Sequence, residues 1–151
     1  MTLAKPLAGG LPIGAVLLTD EVASAIQPGD HGSTFAGGPL VCHAALATLE
    51  RIQAPGFLES VEQKWEMLRS RLREVLGGNK HVKEVRGVGL IVGVQLDVSA
   101  GPWVEFAREK GVLAITAGKG DVLRLVPPLL ITEEELEKAV AVLAETLLML
   151  G

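Results

Sequence analysis

The chain has 151 residues, 14 Lys+Arg against 18 Asp+Glu for a net charge of −4, and 48% hydrophobic against 21% charged residues. That is the composition of one ordinary globular domain or two small lobes, far from the signature of disorder. An acidic balance without a Lys/Arg block excludes a nucleic-acid partner. No apolar run reaches the ~20 residues that span a bilayer, which excludes a membrane partner. The single Cys42 leaves no internal disulfide and no thiolate metal site. A soluble intracellular protein of a reducing compartment is expected, and the start, Met1 to Lys5, reads as no targeting peptide.

In chain order, the apolar stretch 13–18 has strand length and is bounded by turn formers, which predicts a buried strand. A short helix over 20–26 follows, then a Gly/Pro-rich loop, 27–39, long enough to be functional. Leu40, Val41, Ala44, Ala45, Leu46 and Leu49 predict an apolar helix to about residue 52, and Ala54-Pro55-Gly56 marks a boundary between lobes 1–54 and 55–151. Phe57, Leu58, Val61, Trp65, Leu68, Leu72, Val75 and Leu76 recur at three- and four-residue spacing until Gly77-Gly78, which predicts a long helix with Trp65 and Met67 as packing residues. From 82 to 97, Val85, Val88, Leu90, Val92, Val94 and Leu96, with one parity beyond Val88, predict a strand or hairpin broken by Gly87 and Gly89. A helix over 102–110 closes at Gly111, and strands 112–115 and 122–126 flank a Gly118-Lys119-Gly120-Asp121 turn. Thr132 and Glu135 form a capping box opening a last helix on which Leu136, Val140, Leu143 and Leu147 share a face. The fold class is α/β.

Four side chains could carry chemistry. Lys5, after Leu3-Ala4 and before Pro6, would be partly desolvated there and so a nucleophile toward carbonyls, although a lysine taken alone is most often solvated. Ser33 and Thr34, on a loop preceding a helix, are the donors a phosphate needs where no cation holds it, or they are simply loop hydroxyls. Arg124, inside the strand 122–126, suits a carboxylate bidentately or faces water by alternation. His31 takes no role. Arg86-Gly87-Val88-Gly89-Leu90 lacks the third glycine and the strand-then-helix context of a dinucleotide fingerprint, so its glycines serve backbone bending.

In their order and spacing, Thr2-Leu3-Ala4-Lys5, Gly10-Leu11-Pro12-Ile13-Gly14, the segment Gly29 to Phe35, Arg86-Gly87-Val88-Gly89-Leu90 and Arg124-Leu125-Val126-Pro127-Pro128-Leu129 resemble the class III aminotransferases along essentially the whole chain. Within that class the resemblance runs to the acetylornithine aminotransferases, and the wording around Lys5 to their plant-type members. It implies a fold-type-I enzyme that uses pyridoxal 5′-phosphate (PLP), part of the large cofactor domain in 1–54 and a small C-terminal domain in 55–151. It places Lys5 on the lysine that binds PLP covalently and, once released, shuttles a proton. Thr34 falls on the residue that reaches the cofactor phosphate in the neighbouring subunit of a homodimer, Ser33 on one that meets the acyl-amino acid there, and Arg124 on the arginine that grips the substrate α-carboxylate. Gly38 departs from the Asn that many relatives carry. The chain corresponds to roughly the last two-fifths of a family member, so the phosphate loop, the ring-stacking aromatic and the acidic partner of the ring nitrogen are expected upstream of it. The activity implied is transfer of the terminal amine of N-acetylornithine to 2-oxoglutarate in arginine biosynthesis, in a plastid or mitochondrion if the source is a plant. Ornithine or 4-aminobutyrate transamination is the neighbouring reading, and a catalytically silent product acting as an interaction module the competing one.

Overall fold

The structure is a computed structural model that describes residues 1–150, with side chains through Thr146, so the placement of Leu147 lies outside the described residues. The chain divides into two compact units, Met1–Leu58 and Glu59–Gly151.

In the first unit β1 (Thr2–Leu3) pairs antiparallel with β2 (Ala15–Val16), Thr2 opposite Val16 and Leu3 opposite Ala15. The strand expected over 13–18 is therefore cut to two residues and is not buried: Ala15 is half-buried and Val16 exposed, as are Leu17 and Leu18 beside it. The extended run ends where Thr19 caps α1 (Asp20–Ser24), its hydroxyl accepting from the Val22 amide at 3.4 Å, and a two-stranded ribbon offers no second layer to cover its apolar side chains. Lys5–Ala8 forms a 3₁₀ turn, closed by Gly9 in the left-handed conformation with its N–H donating to the Pro6 carbonyl at 3.0 Å. The helix α2 (Pro39–Ile52) packs against this turn. Pro39 suits the first helical position because its fixed φ is already helical. Ala8 and Ala45 are the buried side chains of this unit among the described residues. Between α1 and α2 the loop folds on itself at one point, where the Gln27 amide donates to Asp30 Oδ2 at 2.8 Å and the Asp30 amide to the Gln27 carbonyl at 3.1 Å.

The second unit holds the larger core. On α3 (Phe57–Leu76), Val61, Trp65, Leu68, Leu72 and Leu76 form one buried face, and the helix stops at Gly77 as its glycine pair predicts. The strands β3 (Val82–Val88), β4 (Ile91–Leu96), β5 (Ile115–Ala117) and β6 (Val122–Leu125) form an antiparallel sheet in the order β3-β4-β6-β5. The β3–β4 hairpin turns at Gly89-Leu90, with Gly89 at φ +54°. Val88 is consequently paired with Ile91 on the outer face and 85% exposed, not on the face of Val92, Val94 and Leu96. A single parity cannot run through a hairpin turn. Expected over 112–115, β5 instead starts at Ile115, because the Val112 amide donates to the Ala107 carbonyl at 2.8 Å and finishes the preceding helix.

The inner face of the sheet sets Val92 opposite Leu125 and Val94 opposite Leu123. Leu76, Val94, Trp103, Leu123 and Leu143 meet around one small void, so α3, α4 (Gly101–Glu109) and α5 (Glu133–Leu150) share a core with the central strands. The capping box of α5 is reciprocal: the Thr132 amide donates to Glu135 Oε2 at 2.8 Å and the Glu135 amide to Thr132 Oγ1 at 3.2 Å. Arg71 Nε reaches both carboxylate oxygens of Glu137, at 2.9 and 3.2 Å, tying α3 to α5.

Candidate functional site

Lys5 opens the 3₁₀ turn at φ +56°, the one non-glycine residue in the left-handed region among the described residues. That conformation brings Cβ close to the backbone and costs an L-residue roughly 1–2 kcal/mol, so it persists here only because the turn is fixed on both sides. Before it, β1 is paired; after it come Pro6 and the Gly9 closure, with α2 behind. Lys5 is exposed, and its ammonium has no hydrogen bond or ion pair among the described residues. The partial desolvation expected from its apolar neighbours is not found: Ala4 and Pro6 are exposed as well, so no layer covers the amine.

Ser33 and Thr34 sit in the loop before α2, both exposed, their hydroxyls without partners among the described residues. Ser33 lines an open recess of about 590 Å³ with Pro12, Ile13, Gly14 and the residues that start α2, whereas neither Thr34 nor Lys5 lines it. The recess thus brings Ser33 to the β2 side of the unit and leaves the other two apart from it. At Gly38 the helix is capped by backbone alone, its carbonyl accepting from the Cys42 amide at 3.1 Å.

In the second unit Arg124 lies on β6 between Gly93 of β4 and Ile115 of β5. Leu123 and Leu125 are paired with the buried Val94 and Val92, so the ladder turns Arg124 to the outer face, where it is half-buried and without an ion pair or hydrogen bond among the described residues. It borders an open recess of about 450 Å³ that is also lined by Arg86, Gly87, Val88, Ile91, Gly93 and Val122. Arg86 pairs with Gly93 from the other side. Its Nη1 donates to Glu84 Oε2 and its Nη2 to Gln95 Oε1, each at 2.9 Å. The motif reading missed Arg86 as a neighbour of Arg124; the signal was the Gly89-Leu90 turn, about which 86 and 93 are symmetric.

The shifted carboxylates lie elsewhere. Hydrogen bonds from Lys83 and then His81 hold Asp97 below its ordinary 3.8, the Lys119 amide does the same for Asp121, and the Thr132 cap lowers Glu135. Among the described residues no group of three His, Cys, Asp or Glu is placed to hold a metal, and no helix is long and apolar enough to cross a membrane.

A left-handed lysine, two adjacent loop hydroxyls before a helix and a strand arginine without an ion pair among the described residues follow one another here in a single order. The chain belongs to the class-III aminotransferases, whose family model matches residues 1–147. It is 65% identical over 147 residues to the protein named mitochondrial acetylornithine aminotransferase of Alnus glutinosa, a match that covers 97% of this chain and 33% of that protein. The chain thus spans about a third of the length of that relative. Among solved structures, the acetylornithine aminotransferase of Elizabethkingia anophelis superposes with a TM-score of 0.85 at 34% identity, over 98% of this chain and 40% of that one. An ornithine aminotransferase of Toxoplasma gondii, described with partial occupancy of PLP at its active site, gives 0.88 at 34% identity over 98% and 36%. The α/β architecture of the fold-type-I transferases is shared to that extent.

Proposed function

We propose that this chain is the C-terminal part of an acetylornithine aminotransferase, which moves the terminal amine of N-acetylornithine to 2-oxoglutarate and yields N-acetylglutamate semialdehyde and glutamate within arginine biosynthesis. The observation that carries the reading is the 65% identity, maintained over 147 residues, to a relative of that name. Residues 1–54 then belong to the large PLP domain and 55–151 are the small domain. The relative's mitochondrial name supports a mitochondrial location, with a plastid as the other organelle in a plant.

The donor set fits PLP in kind: a primary amine at Lys5 for its carbonyl, and the Thr34 hydroxyl on a glycine-flexible loop for its phosphate. When bound, the cofactor supplies an electron sink for charge that develops at the substrate carbon. The chain's own residues do the rest. Lys5 binds the cofactor and holds or returns the proton that moves at its Nζ, and the fixed left-handed backbone sets where that Nζ starts from. Arg124, with five donors and no competing partner among the described residues, takes a carboxylate bidentately and orients the substrate. Ser33 and Thr34 serve the partner subunit's site in a homodimer, Thr34 at the cofactor phosphate and Ser33 at the acyl-amino acid. Ornithine transamination is the second reading, favoured by the TM-score of 0.88 to a solved ornithine aminotransferase.

The test is to mix the purified chain with substoichiometric PLP, reduce with borohydride, and map the modified lysines by mass spectrometry. Adduct concentrated on Lys5 is expected. Adduct scattered among the lysines, or none, would mean that the chemistry belongs to a longer parent and that this chain is a catalytically silent piece of it.

A further inference from the structure

Just past Arg124 the chain leaves the sheet. Arg124 is the last residue of β6 with a partner on each side, Gly93 of β4 and Ile115 of β5, whereas Leu125 pairs with Val92 alone. Val126, Pro127 and Pro128 run on outside any strand or helix to a turn in which the Ile131 amide donates to the Pro128 carbonyl at 3.0 Å, and Thr132 then caps α5.

This stretch is stiff by sequence. Each proline ring holds its own φ near −65° and drives the residue before it, Val126 or Pro127, into the extended region. Three successive residues thus have little backbone freedom, so a direction imposed at one end is delivered at the other. Packing leaves that direction open. The stretch borders a recess of about 480 Å³ whose lining also includes Leu68 of α3 and Leu136 of α5, and Val126, Pro128, Leu129 and Leu130 are exposed.

Lys64 fixes the far end. From α3, one turn before Leu68, its Nζ donates to the Leu129 carbonyl at 3.0 Å. Lys64 is half-buried, and its ammonium has no carboxylate partner among the described residues. A lysine so engaged holds a backbone position rather than neutralising a charge.

We propose that Lys64 is a positioning residue for Arg124: it pins the Pro127-Pro128 rod at Leu129 and so sets how β6 ends and how Arg124 presents its guanidinium. The inference rests on the assignment of Arg124 to a substrate carboxylate and adds the residue that holds it for that contact.

The experiment combines amide 15N relaxation with a butyrate titration of the whole chain by NMR. Lys64→Met keeps the length of the side chain and removes its donors. In it the amides of Arg124, Leu125 and Val126 are expected to fall from the rigid order parameter of about 0.85, and butyrate to bind about fivefold more weakly, the worth of one hydrogen bond. Lys64→Arg, which can still donate, should restore both. Pro128→Ala loosens the rod and leaves the pin, so it should weaken butyrate alike and cost nothing further when added to Lys64→Met. Added motion confined to 129–131 with butyrate affinity unchanged, or losses from the two substitutions that simply add, overturns the proposal and leaves the Arg124 reading standing. Butyrate that does not bind the parent chain, or binds Arg124→Gln equally well, overturns the Arg124 reading itself. Urea midpoints of tryptophan fluorescence matching the parent's separate these results from misfolding.

Discussion

Leu72→Ala tests whether the second unit owes its stability to the face of α3. Leu72 is 0% exposed, the fourth of the five residues in the buried series from Val61 to Leu76. Removing its isobutyl end loses the transfer free energy of the deleted carbons, about 2 kcal/mol, plus a term for a cavity that a helix clamped by the sheet fills only in part, giving about 3–4 kcal/mol in all. For a unit of about 90 residues that lowers the melting midpoint by roughly 12–25 °C. Tryptophan fluorescence in urea isolates the effect, because both tryptophans of the chain, Trp65 and Trp103, are buried in this unit. Leu40→Ala in the first unit is the control: Leu40 is 75% exposed, and a change there should stay within about 0.5 kcal/mol. A Leu72→Ala loss below about 1 kcal/mol, or one equal to the control's, would refute the argument that enclosure at this position sets the cost.

Acid stability should carry the signature of Asp97, whose carboxyl lies below 3.8 through hydrogen bonds from Lys83 and His81. A carboxylate lowered in the folded state contributes stability that is complete above its unfolded value and is lost as pH falls through the folded one; Asp97→Asn should therefore flatten the fall in stability below about pH 4 without removing it, since Asp121 and Glu135 are lowered too. An acid limb as steep in the variant as in the parent, read by urea midpoints across pH, counts against this ion-pair cluster. Amide exchange should be faster over 1–52 than over 57–150, because the first unit buries only Ala8 and Ala45 among its described side chains; equal protection would contradict the two-unit reading. Finally, Lys5→Gly should be more stable than Lys5→Ala by about 1 kcal/mol in far-UV circular-dichroism melts, since glycine enters the left-handed region freely, and identical melts would show that the turn relaxes at no cost.

Much of the second unit was legible because its signals are local and repeated. Twenty residues of helical period with a glycine stop define α3, and the Thr132–Glu135 box marks the start of α5 by chemistry that needs no tertiary partner. The first unit resisted for the opposite reason. The run 13–18 is as apolar as any buried strand, yet burial depends on which layer lies against it, and Val16 to Leu18 meet none. Val112 shows the same limit at an element end, where one hydrogen bond to Ala107 decides between helix closure and strand.

The site divides along the same line. Residue type and order marked Lys5, Ser33, Thr34 and Arg124 as candidates, but the facing of Arg124 could not be read from its strand alone: Val122 and Leu123 are both buried, so alternation breaks just where it was needed. Only the ladder resolves it, by setting Arg124 against Gly93 and, beyond that, Arg86. Lys5 is the converse case. Its neighbours suggested partial desolvation, and its fold gives instead an exposed residue on a left-handed backbone. A lysine kept in that conformation between a strand pair and a glycine-closed turn is held by its scaffold against its own preference, which is the pattern expected where the position of one side-chain atom matters more than local stability.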